Sequence, residues 1–214
     1  MLVSDVVTQV RDIIQDTHTP YRYSDDMLVR FVNQTLKRMV LLRPDLFSTL
    51  EEVPTTANSV FQVLPSDAMR MVDVFQIQNG PAITEVNRAT LERSNPNWMS
   101  EPPGVPINFM RNVKNDTRFF LYPAPQPGVT LVVEYAKILP TYMLSDEIDV
   151  IPDGYLPVLI DGTVFVAESI NDEYVNDQRA QMYQQMFTQG LSTSVEARQL
   201  TDYDSGGLDT NRVT

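Results

Sequence analysis

The sequence predicts an α+β protein: a helical bundle formed by the two ends of the chain, with a small antiparallel β-sandwich or barrel inserted between them. Three observations carry this. Apolar residues recur at helical 3–4 spacing over 3–16 and again over 24–43. Residues 48–140 switch to short apolar runs broken by Pro, Gly and Asn. A helical stripe returns over 172–189 before a polar, Gly/Ser/Thr-rich end. The expected organisation is therefore 1–47 (N-terminal helices), 48–140 (β insertion), 141–190 (C-terminal helices) and an extended tail over 191–214.

In the first segment, Val3, Val6, Val7, Val10, Ile13 and Ile14 share one helix face. Pro20 breaks the pattern. Ser24 has the character of an N-cap, and Asp25 and Asp26 suit a helix N-terminus. Leu28, Phe31, Val32, Leu36, Met39 and Val40 then keep the period until Pro44 ends it. Seven strands follow, at about 49–53, 59–64, 69–78, 82–87, 107–111, 117–122 and 129–136. "NRATLERSNPNWMSEPPG" interrupts them with one helical turn and a loop, in which Trp98 reads as a cap on the β core or an exposed anchor. "RFFLYPAPQPGVTLVVEYAKILP" (118–140) reads as a hairpin whose loop is stiffened by prolines.

Residues 155–170, "YLPVLIDGTVFVAESI", admit two readings. Asp161-Gly162 between apolar runs is a hairpin signal. Alternatively the stretch is one buried helix that puts Asp161, Glu168 and Asp172 on a shared face, with Gly162 costing about 1 kcal/mol unless it permits a close helix contact. Gly190 is a natural stop for the helix over 172–189.

The charge is unevenly placed. The net value is −12, of which −10 falls in 141–214. Between Lys137 and Arg179 there are nine acids and no base. Such a surface repels phosphate, so specific nucleic-acid binding is not expected. No run is apolar and long enough for a membrane span, and no signal peptide is expected at Met1. There is no Cys and a single His18, which leaves no Cys-based site or multi-histidine metal centre within the chain. Nucleotide-binding and hydrolase motifs are absent. Asp146/Glu147 is the kind of pair a glycosidase uses, but adjacency is expected by chance among 28 acids. "DYDSGG" fails the EF-hand pattern, since Val213 stands where the closing Glu belongs. The expectation is no enzyme and no cofactor.

Three stretches in this order resemble the head-to-tail adaptor (connector) proteins of tailed bacteriophages, the short-tailed type in particular. They are "YSDDMLVRFVNQTLKRMVLLRPDLF" (23–47), the 118–140 segment and "IPDGYLPVLIDGTVFVAESINDEYVNDQRAQMYQQMF" (151–187). The resemblance implies helix over 155–170. It also implies a virion structural protein, assembled in the host cytoplasm as a homo-oligomeric ring of twelve copies. That ring would dock on the portal protein, lead to a tail nozzle or tube protein, and let DNA pass through its channel at ejection. On this reading Leu200, Tyr203, Leu208 and Val213 are spaced anchors for the portal contact, and Asp161, Glu168 and Asp172 line the channel. Another tail or head-completion protein is the second reading. A glycan-hydrolysing enzyme is the third.

Overall fold

The computed structural model describes residues 1–170 and 177–205, without the side chains of residue 177 and of 193–205. The chain forms two compact units: Met1–Arg43 with Pro140–Thr214, and Pro44–Leu139.

The first unit is helical. Helix α1 (Val3–Ile14) buries Val3, Val6, Val7, Val10 and Ile14, as the spacing requires. It ends at Gln15, whose φ of 60° turns the chain back. Ion pairs and hydrogen bonds hold the reversal. Arg11 Nη1 donates to Asp16 Oδ2 at 2.7 Å, and Nη2 donates to Tyr23 O and Asp25 Oδ1 at 2.8 and 2.7 Å. Asp16 also accepts from the backbone N–H groups of Arg22 and Tyr23. A buried charge is tolerable when it is saturated in this way. Helix α2 (Asp25–Leu42) is capped by Ser24 Oγ, which accepts from Met27 N at 3.3 Å.

The chain re-enters this unit as an irregular segment laid across α1 and α2. Asn33 fixes it: its amide donates to Tyr142 O at 2.9 Å and its carbonyl oxygen accepts from Tyr142 N at 2.8 Å. Backbone bonds from Val3 N to Asp146 O and from Ile148 N to Met1 O join it to the start of α1. A 3-10 turn at Asp153–Tyr155 leads into α4 (Leu156–Glu168), so this segment is a helix and not an Asp161-Gly162 hairpin. Pro157 is its second residue, where the missing N–H is not needed. Gly162 is the decisive residue. A Cβ there would lie 2.5 Å from Thr35 Cγ2 and 2.7 Å from Phe187 Cδ2. The glycine is what lets three helices meet. Around it Leu159, Thr163, Val164 and Ala167 have no exposure; burying each Val or Leu stabilises by roughly 1.5–3 kcal/mol.

The last helix, α5, spans Asp177–Ser205. This corrects two expectations. Gly190 does not stop the helix, and 191–205 is helical rather than extended. Gly190 is there for packing: a Cβ would lie 2.8 Å from Val158 Cγ2. The rest of the expected tail lies outside the described residues.

The second unit is a β-sandwich, opened by a 3-10 turn at Pro44–Phe47. Strands β1 (Ser48–Pro54), β7 (Thr130–Lys137) and β3 (Ala68–Ile77) form one antiparallel sheet in the order β1-β7-β3. Strands β2 (Phe61–Val63), β6 (Arg118–Tyr122), β5 (Asn108–Arg111) and β4 (Thr84–Glu85) form the other in the order β2-β6-β5-β4. All pairs are antiparallel except the two-residue β4, which runs parallel to β5. The sheets do not close into a barrel. Val53, Met71, Val74, Leu131, Val133 and Tyr135 of one pack with Phe109, Phe119 and Leu121 of the other.

The outer face of the second sheet has its own core of Val60, Trp98, Met110, Phe120 and Ala124. The uninterrupted "FFL" of β6 follows from this. Phe119 and Leu121 point to the inner core while Phe120 points to the outer one. Trp98, in a 3-10 turn after the short helix α3 (Arg88–Ser94), caps that outer core edge-on to Phe120 at 6.1 Å.

The 118–140 segment is not a hairpin. β6 and β7 belong to different sheets, and the loop between them hands the chain across the sandwich. Pro123, Pro125 and Pro127 have no N–H to continue a ladder. The loop bonds to other loops instead: Asn58 N donates to Pro125 O and Gly104 N to Ala124 O, both at 2.8 Å.

Candidate interaction surfaces

No described group of three or more His, Asp or Glu could hold a metal ion, and no described helix is long and apolar enough to cross a membrane. His18 is exposed, with Nδ1 3.0 Å from the neighbouring Thr17 hydroxyl. Asp146 and Glu147 do not face each other across a cleft. Asp146 Oδ2 accepts from Met143 N at 2.7 Å within its own turn, and Glu147 is paired with the α-amino group of Met1 at 3.5 Å.

The register of α5 on α4 is antiparallel. Glu168 meets Arg179 at 3.5 Å, Gly162 meets Phe187, and Val158 meets Gly190. By this register the start of α4 lies opposite Ser192, whereas α5 continues to Ser205. The remainder, about 13 residues at 1.5 Å each, is roughly 20 Å of helix beyond the start of α4. Leu200 and Tyr203 stand on this projecting part, three residues apart, a spacing that shares a helix face. Leu208 and Val213 lie outside the described residues.

Of the three acids expected to share a face, Asp161 and Glu168 are separated by their surroundings. Glu168 is only 3% exposed and ion-paired with Arg179, which also donates to Ile13 O and stacks on Tyr183. It offers no free charge. Asp161 is half-buried, with no hydrogen bond or ion pair to another described residue; burial pushes its carboxyl above the usual range. Asp172 lies outside the described residues.

Two features were not read from the sequence. Tyr142 is 5% exposed, and its hydroxyl has no partner among the described residues. Burial raises its pKa, helped by the nearby charges of Asp149 and Asp146. It lines an open groove of about 760 Å³ with Val29, Arg30, Met143 and Leu144. The other feature is the outer face of α2, where Arg30 and Lys37 are exposed and make no hydrogen bond or ion pair with a described residue. Their spacing of seven was visible in the sequence, but their lack of partners was not.

Interlocked helices, an inserted sandwich and surface groups without described partners are the features of a protein that acts by contact. The model of the SU10 adaptor protein family matches residues 1–211, and the chain belongs to that family. It is a phage structural adaptor and a virion component. A search of curated proteins finds no match.

Proposed function

We propose that the protein is a head-to-tail adaptor: a ring of copies, twelve by the resemblance, that joins the portal to the tail nozzle or tube and continues the DNA channel. The observation that carries this beyond the family is α5, whose C-terminal part runs past its packing partner α4. A helix that extends past its neighbour is suited to docking in a groove on another protein. The portal contact is assigned to this part of α5, through Leu200 and Tyr203, and to the following segment with Leu208 and Val213. The stretch between Lys137 and Arg179, which holds nine acids and no base, suits a protein that DNA passes without adhering.

The test is truncation. The cut must fall after Ser192, because Leu191 is 3% exposed and its carbonyl accepts from Arg43. Protein lacking 193–214 is expected to fold and to lose attachment to DNA-filled heads. Unchanged attachment, measured by co-sedimentation with heads, would remove the portal assignment.

A further inference from the structure

The half-buried carboxylate of Asp161 has no hydrogen bond or ion pair to a described residue, and the one cation recorded nearby, Arg38, is stacked over the ring of Phe165 at 5.2 Å. On α4 the only half-buried positions near it are Val158, at i−3, and Phe165, at i+4, so the three residues form one stripe. On α5, Met182 and Met186 are 47% and 44% exposed and stand eight and four residues before Gly190, on the same ridge. Gly190 packs on Val158, so the methionine ridge borders the stripe. The result is a largely apolar surface of Val158, Phe165, Met182 and Met186, with the Arg38 guanidinium over Phe165 at one edge and the unpaired carboxylate of Asp161 set in it. Such a surface calls for an apolar partner carrying one cation.

The chain itself holds such a partner. Lys37 on α2 is exposed and makes no ion pair with a described residue, and Leu41, at i+4, is 60% exposed. Arg30 is the other cation of that face without a described partner, but Asp26 stands at i−4 from it and would bring a second negative charge towards Asp161. Lys37 with Leu41 therefore fits the surface better than Arg30. Within one copy Lys37 does not reach Asp161, although α2 packs beside α4.

We infer that the Lys37–Leu41 face of α2 in one copy docks on the Val158–Asp161–Phe165 stripe of α4 in the next, with Lys37 paired to Asp161. The two faces differ, so the contact is heterologous: each copy offers one face and receives the other, and repetition closes a ring or extends a filament. The inference rests on the proposed ring and names its interface.

Charge exchange tests it in the full-length chain. Binding to DNA-filled heads is followed as copies per head against protein concentration, with folding checked by circular dichroism. Asp161→Lys and Lys37→Glu are each expected to lower the copies bound at saturation and to abolish cooperativity. The double variant is expected to restore both. Arg30→Glu, which makes the same charge change as Lys37→Glu, is expected to bind as wild type. A carbodiimide should join Lys37 to Asp161 between isotopically distinct copies on the heads. Unaltered cooperativity in both single variants, or no rescue in the double variant, overturns the interface and leaves the adaptor reading standing. Failure of the wild type to bind heads at all overturns both.

Discussion

The two units treat their polar groups differently. In the β-sandwich, Gln62 is 2% exposed and its amide is used at both ends, accepting from Thr56 N and donating to Thr56 O and Ser59 O. The Tyr135 hydroxyl donates to Glu51, and burial with that bond pushes its pKa up. Lys137 holds Glu51 below the usual carboxylate range and also meets Asp67 at 3.4 Å. Tyr122, Glu101 and Asn95 close a third set beneath the Trp98 turn. The helical unit has comparable sets around Arg11 and Asn33. It also has Asp161 and the Tyr142 hydroxyl, which have no described partner, and a helix longer than its neighbours. A unit whose buried side-chain polar groups are all paired is complete by itself, whereas one that leaves such groups over is shaped for contact. The sandwich is the self-sufficient part, and the helical unit is where assembly is to be sought.

The largest effect expected on this contrast is in the sandwich. Trp98→Ala removes the cap of the outer core and should cost roughly 3–5 kcal/mol. Hydrogen exchange read by mass spectrometry should show β2, β5 and β6 losing protection while α1, α2 and α4 keep theirs. Equal loss in all of them would mean that the sandwich is not a separate folding unit.

The next effect belongs to the helical unit. Gly162→Ala gains about 1 kcal/mol of helix propensity. Against it stands a Cβ placed 2.5 Å from Thr35 Cγ2 and 2.7 Å from Phe187 Cδ2. Overpacking of this kind costs about 1–3 kcal/mol, so a net loss is expected. Trp98 is the single tryptophan, and it reports the sandwich alone. Helicity should melt earlier in the variant while the fluorescence midpoint stays. A stabilised variant would show that the three helices have slack at Gly162.

How far the fold could be read in advance follows from the same residues. The seven strands, α1 and α2 are fixed by local signals: alternation, the Ser24 cap and Pro44. The misread elements depend on distant neighbours. Asp161-Gly162 and Gly190 carry the local signature of a turn and a helix stop. Only Thr35, Phe187 and Val158 make them packing glycines. The proline loop over 123–129 stands between two apolar runs, as a hairpin does, and only the sheet order reveals a crossover. The candidate surfaces were legible in part. The acid-rich stretch and the apolar residues Leu200 and Tyr203 of α5 were visible as composition. Which acid is paired and which is left over depends on where Arg179 falls.

The smallest expected effect sharpens the contrast most, because it sets stability against assembly at one atom. The carboxyl of Asp161 is raised by burial, so the folded chain binds its proton more tightly than the unfolded chain does. Stability from this group is therefore greatest below the ordinary aspartate range and declines as pH rises through the folded value. At neutral pH the ionised carboxylate disfavours the folded monomer. Asp161→Asn should then melt slightly higher at pH 7, lose that gain as pH falls below about 4, and keep its helicity. In assembly the sign reverses, since the neutral amide offers Lys37 no charge and the cooperativity on heads should weaken. Measuring the melting temperature of the monomer from acid to neutral pH beside the copies bound per head separates the two roles. If the variant melts lower at pH 7 than the wild type, Asp161 is paired within the monomer, and the helical unit has no charge left over at α4.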